Sequence, residues 1–338
     1  MTSGSTLGLA DGATDPLTTS LNRAIEAAAH EMGLRTRLVG GPADEAGVDI
    51  LLSVGLPQYY ATLLESPRRA RRIAWFGEPL PRPPAAGRRG WILGGRPAGS
   101  ALRGLRTIRR PMRRLRGLPL PGPLATLRAA AYVESERRAN LAAAVRCAAA
   151  VDLVVVTSRD RAVTLAASGV AARVTPFGYH PLLAGAIVGH AGDRDIPVVA
   201  LGSGIDWASR RARALRRIAV DLGPVPLAIA GPTWGSERAN LLGRSRILLD
   251  VHRVPGNFIG LRVLLAAAAG AVLVTEPMDD PHPFQPGTHF IQAPLADLAT
   301  AARDLLADEP RRRRIVGASQ ALISGPLSMS AALQAVLA

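Results

Sequence analysis

The stretch Arg244–Glu276 reads RSRILLDVHRVPGNFIGLRVLLAAAAGAVLVTE. Its short apolar run, Ile247–Val251, has the length and bulk of a strand buried on both faces, and the charged pair His252 and Arg253 follows at once. Pro255, Gly256 and Asn257 break the chain; a small-residue helix is predicted over about Phe258–Ala269, then a second apolar run at Ala271–Thr275. The order is strand, loop, helix, strand. In a parallel α/β sheet the carboxyl ends of strands and the amino ends of helices meet at one edge, where ligands bind. His252, Arg253, Asn257 and Glu276 are therefore expected to gather at such an edge.

The same rhythm extends outward on both sides. Toward the start, strands are predicted at Thr6–Ala10, Arg35–Val39, Val48–Val54, Ile73–Phe76, Asp152–Thr157 and Ala172–Thr175, with helices at Leu17–Met32, Leu124–Ala150 and Arg159–Ala167. Asp11 and Glu78 follow two of these strands, which places them at the corresponding edge of a first sheet as candidate general bases. After the polar, Gly-rich segment Gly185–Asp195 the pattern restarts at Ile196–Leu201 and runs into GSGIDWASRR. There Gly202, Ser203 and Gly204 form a tight turn before a helix carrying Arg210 and Arg211. Glycines admit close approach of a phosphate, a helix amino end offers free amides, and arginine adds a bidentate clamp. The expected division is a first domain at 1–180 with a basic insertion at about 81–123, a linker at 181–195, a second domain at 196–322, and a C-terminal helix at 323–338 able to pack back on the first domain.

Composition removes several options. All 41 basic residues of the 338 are arginine, the mark of a GC-rich genome, so neither a Schiff-base lysine nor a phosphate-loop lysine is available. The net charge is +15, and 25 of the arginines lie in residues 1–190 against 13 acids. Part of that excess is the segment Leu102–Arg116, an amphipathic pattern interrupted by Pro111, which reads either as a solvated face or as an anchor on an anionic membrane surface. Few aromatics interleave with the arginines, which disfavours nucleic acid. The lone Cys147 lies in LAAAVRCAAAVD and reads as a packed thiol. Asp279 and Asp280 read as a solvated pair rather than metal ligands. No apolar run approaches the roughly 20 residues of a membrane span and no signal peptide opens the chain; the expectation is a cytoplasmic protein, with peripheral attachment to the inner face of a membrane as an open alternative.

Two halves joined near PFGYHP, then LGSGIDWASRR, the stretch Arg244–Glu276 and PFQPGTHFI resemble glycosyltransferases of the GT-B fold, in the broad "glycosyl transferases group 1" clan that includes a spore-protein-like branch. The resemblance covers roughly Asp152–Ile323. It implies two Rossmann-like α/β domains facing each other across a cleft, the second holding a nucleotide diphosphate sugar (UDP-, GDP- or dTDP-linked). It implies a hexosyl- or deoxyhexosyltransferase, with a small-molecule, glycan or lipid-linked acceptor on the first domain and no metal required. By this likeness Gly202 and Arg211 line the donor diphosphate, His252 and Arg253 sit beside phosphates and sugar, Gly260 and Arg262 underlie the nucleotide, and Glu276 is the acid after the next strand; Arg210, from the turn and helix above, joins them as a donor-site candidate, and His252 also takes a catalytic part. The clan's Glu-x7-Glu pair is replaced here by Asn257 and Leu265. A catalytically silent scaffold, a membrane-associated partner protein and a sugar-nucleotide epimerase stay open as alternatives.

Overall fold

The computed structural model describes residues 5–10, 16–55, 70–77, 79–81, 122–189, 194–202, 209–231 and 233–338. Asp11, Glu78, Ser203, Gly204 and Leu102–Arg116, each singled out from the sequence, lie outside the described residues. The first half contains β1 (Thr6–Ala10), α1 (Pro16–Glu31), β2 (Arg35–Val39), β3 (Ile50–Val54), β4 (Arg71–Phe76), α2 (Gly122–Ala148), β5 (Leu153–Val156), α3 (Arg159–Ala166), β6 (Arg173–Val174) and the single turn α4 (Pro181–Ala184). Its strands pair in parallel in the order β2-β1-β3-β4-β5-β6. Continuous apolar runs dictate this arrangement: ILLSV of β3 is buried along its whole length, as a strand covered by helices on both faces must be. β2 differs because it is an edge, and its exposed Arg35 and Arg37 discourage pairing with a further strand.

The second half repeats the plan with β7 (Ile196–Leu201), α5 (Arg210–Asp221), β8 (Leu227–Ala230), α6 (Gly235–Gly243), β9 (Ser245–Asp250), α7 (Gly260–Ala268), β10 (Val272–Thr275), β11 (Ile291–Gln292), α8 (Leu298–Ala307), α9 (Glu309–Ser324) and α10 (Met329–Leu337). The sheet order is β11-β10-β9-β7-β8, again all parallel. Each sheet is a middle layer. One face of the second sheet packs on the small residues of α7, which let β9, β10 and α9 approach closely; the other packs on α5 and α8.

The two halves are tied by two crossings of the chain. Tyr179 N–H donates to Leu327 O and Met329 N–H donates to Tyr179 O, both at 2.7 Å, so the outgoing and returning segments pair side by side. α10 then lies against α1, and Met329, Leu333 and Val336 enter the first sheet's core beside Leu21, Ile25 and Leu52.

Candidate functional site

In a sheet of order β11-β10-β9-β7-β8 the direction of winding reverses between β7 and β9, so their carboxyl ends leave a crevice between the loops that follow them. β7 ends in Leu201 and is followed by Gly202. β9 ends in Asp250 and is followed by Val251 and His252, and the neighbouring β10 ends in Thr275 and is followed by Glu276. The amino ends of α5 and α7 face the same crevice, the first capped by the Ser209 hydroxyl, which accepts from Ala212 N–H at 3.1 Å.

Two arginine–carboxylate groups fill this edge. Arg210 donates to His252 O at 2.8 Å and to Glu276 Oε2 at 2.9 Å, with a second, shorter bond to Glu276 Oε1. Glu276 Oε2 also accepts from His252 N–H at 2.8 Å, so the ends of β9 and β10 and the start of α5 close into one ring of bonds. Arg211 donates to Leu201 O and, at 3.0 Å, to Asp250 Oδ1. Its guanidinium lies against Gly202: a Cβ there would stand 2.2 Å from Arg211 Nη1, so a side chain at this position would push the guanidinium aside. Arg262, in the first turn of α7, brings Nε to 3.7 Å from the same Asp250 oxygen. Burial lowers its pKa, Asp250 raises it and Arg211 lowers it further; a guanidinium stays charged under all these influences. Beside it is Arg238, buried, stacked over the Trp234 ring at 5.2 Å and donating to Leu183 O at 2.9 Å; burial first, and Arg262 second, lower its pKa. Three guanidiniums against two carboxylates leave the crevice one positive charge in excess, before Arg238 is counted.

His252 sits inside this frame. The residue is 1% exposed, with Nε2 2.9 Å from Thr275 Oγ1 and a buried Nδ1 that has no hydrogen-bond partner among the described residues. Burial lowers its pKa; Asp250 and Glu276 oppose that shift, while Arg210 and Arg211 reinforce it. The imidazole is therefore neutral near pH 7. Its main chain, not its ring, makes the contacts to Arg210 and Glu276.

Of the residues expected here from the sequence, Gly202, Arg210, Arg211, His252, Arg262 and Glu276 are brought together. Arg253 points elsewhere, bridging to Glu136 of α2 across the cleft, with both side chains substantially exposed. Asn257 lies half-buried in a turn, its N–H donating to Val254 O at 3.2 Å. Gly260 has a local reason to be glycine, since a Cβ would meet the Phe258 ring at 2.4 Å. Asp280 faces Arg159 at 3.9 Å, and no cluster of three or more His, Cys, Asp or Glu side chains with metal-binding geometry occurs among the described residues. The residue missed in the sequence is Asp250. It closes an apolar run as a lone acid, a signal overshadowed by the adjacent His252 and Arg253.

Residues 206–338 match the family model described as glycosyl transferase-like. No curated protein sequence matches the chain. Among solved structures, HepE of Anabaena in complex with UDP and glucose aligns over 98% of each chain at 11% identity, TM-score 0.57. An alpha-glucosyltransferase in complex with UDP aligns over 99% of this chain and 98% of its own at 9% identity, TM-score 0.55. TarM of S. aureus aligns over 85% of this chain and 54% of its own at 10% identity, TM-score 0.52. The protein thus has the two-domain GT-B fold shared with these glycosyltransferases, and its residues 206–338 carry the glycosyl transferase-like match.

Proposed function

We propose that the protein is a glycosyltransferase that moves a sugar from a nucleoside diphosphate sugar to an acceptor hydroxyl. The observation that carries this reading is the arginine cluster at the switch point of the second sheet, where Arg211 and Arg262 flank the crevice between β7 and β9. Bond cleavage at the anomeric carbon builds negative charge on the departing diphosphate. Fixed guanidiniums and helix amides in a partly buried crevice stabilise that charge without having to reorganise. Arg262 is the best placed to receive a phosphate, because Arg210 already donates to Glu276 and His252 and Arg211 to Leu201 and Asp250. His252 acts in this scheme by holding Arg210 and Glu276. Asp11 and Glu78 keep the part of candidate bases for the acceptor hydroxyl. The donor sugar is a hexose or deoxyhexose, the acceptor a small molecule, glycan or lipid-linked chain, and the arginines take the place of a metal. Attachment to an anionic membrane through Leu102–Arg116 belongs to the same proposal.

Calorimetric titration with UDP, GDP and dTDP tests it; UDP comes first because HepE and the alpha-glucosyltransferase are seen with it. One of the three is expected to bind, equally well in excess EDTA. Arg262→Ala is expected to lose about 1.5–3 kcal/mol, roughly ten- to hundredfold in affinity, with an unchanged circular dichroism spectrum. Absence of binding by the wild type, or an unaltered affinity in Arg262→Ala, overturns the donor site.

A further inference from the structure

Asp250 is the last residue of β9, only 4% exposed, and stands between arginines from two different helices. One oxygen serves both: Oδ1 accepts from Arg211 Nη2 at 3.0 Å and lies 3.7 Å from Arg262 Nε. Arg211 is the second residue of α5 and Arg262 the third of α7, so the two cations enter from opposite sides of the switch point, near enough to act on each other, with this carboxylate in contact with both. Two like charges converging on one crevice repel unless an anion lies between them. Arg211 is further restrained by its bond to Leu201 O, in the room that the absent side chain of Gly202 leaves for it. Arg262 has no such second anchor among the contacts described, which leaves Asp250 as the group that sets where its guanidinium stands.

Resting on the donor-site reading above, we propose that Asp250 is a positioning residue that determines specificity for a diphosphate over a monophosphate. A diphosphate spans two cations held at a fixed separation, and their combined attraction outweighs the repulsion from the Asp250 carboxylate. A monophosphate, with about one negative charge fewer, is repelled less by Asp250 but reaches only one of the two cations, so its net attraction is smaller. Asp250 thus works in both directions: it spaces the arginines for the longer anion and penalises the shorter one.

The test compares the best-binding of UDP, GDP and dTDP with its own monophosphate on the full chain. In Asp250→Asn the carboxamide keeps the shape but drops the charge. The diphosphate is expected to bind more weakly and the monophosphate as well as or better than in the wild type, so that the affinity ratio falls at least tenfold. Asp250→Glu keeps the charge but moves the oxygen by one methylene; it is expected to lower the ratio as well, and it decides the matter if Asp250→Asn does not fold. A purely structural role weakens both ligands alike and leaves the ratio unchanged, which overturns the inference while the donor site stands. A wild-type protein that binds none of the three diphosphates overturns the donor site itself.

Discussion

The neutral, enclosed imidazole of His252 makes the protein's stability depend on pH in a direction that can be worked out. Burial holds its folded pKa below the ordinary value, so the unfolded chain takes up a proton near pH 6.5 that the folded protein refuses. The stability associated with the neutral ring is complete above that pH and declines as the pH falls through it, by at most about 1.4 kcal/mol per unit. His289 is shifted the same way by its own burial and adds to the trend. Denaturant unfolding at pH 7.5 and 5.5 should therefore show a larger loss for the wild type than for His252→Gln, whose amide can reach Thr275 without titrating. Equal losses refute the assignment. Cys147 is a second residue whose chemistry follows from its surroundings: it is 3% exposed, and burial pushes its thiol up to about 12. A thiol reagent at pH 8 should leave it unmodified until the protein is unfolded. Rapid stoichiometric labelling of the native protein would contradict this.

Among the elements, those most legible in the sequence are the ones whose residues carry a single instruction. ILLSV, IPVVAL and SRILLD are strands because a run of bulky apolar residues has nowhere to go but a doubly covered sheet, and the C-terminal helix expected within 323–338 is α10, which begins only at Met329 because Ile323 and Ser324 still belong to α9. Ends were harder. β9 stops at Asp250 rather than Val251, and α7 starts at Gly260 rather than Phe258, because the Phe258 ring folds back over the position where the helix begins. The candidate site followed the same division. Residues placed by strand ends, such as His252 and Glu276, could be located from alternation alone, whereas the partner of Arg253 could not. Glu136 is more than a hundred residues away, on a helix whose path over the cleft no local pattern encodes. The crossing near Tyr179 is likewise a product of tertiary packing. Gly178 lies against the returning chain so closely that a Cβ would come within 2.3 Å of Ser328 O and 2.6 Å of Met329 Cα, both backbone atoms that cannot step aside. Gly178→Ala is expected to destabilise the protein by more than about 2 kcal/mol, as overpacking against a rigid neighbour does. A midpoint within experimental error of the wild type in urea would show that the crossing yields more easily than its bonds suggest.

At the scale of the molecule, the two sheets share one topology but not one boundary, because the last helix of the chain completes the first domain. α10 buries Met329, Leu333 and Val336 against α1 and β1, and its end is fastened by Arg71, which donates to Leu337 O at 3.1 Å, and by Arg173, which donates to Ala335 O at 2.9 Å. Ser330 adds a bond to Glu31 of α1 at 2.8 Å. Opposite this seam, the contacts across the cleft among the described residues are single side-chain pairs: the exposed Arg253 with Glu136, a type of pair worth about 0.2–1 kcal/mol, Arg159 with Asp280, and the buried Arg161 guanidinium 5.9 Å from the Phe258 ring centre. The seam, built from a buried helix face and paired backbone, is therefore the firmer side of the molecule and the cleft the more yielding one, which suits a crevice that must admit a ligand. Leu333 is fully buried at the seam, and truncating such a leucine costs about 2–5 kcal/mol. Because its neighbours belong to the first sheet, Leu333→Ala should raise amide hydrogen exchange in α1, β1 and β3 while α7, β9 and β10 keep their protection, and nucleotide affinity should change less than twofold. Loss of protection spread equally over both sheets would mean that the two halves open as one cooperative unit, and the division of labour between seam and cleft would have to be abandoned.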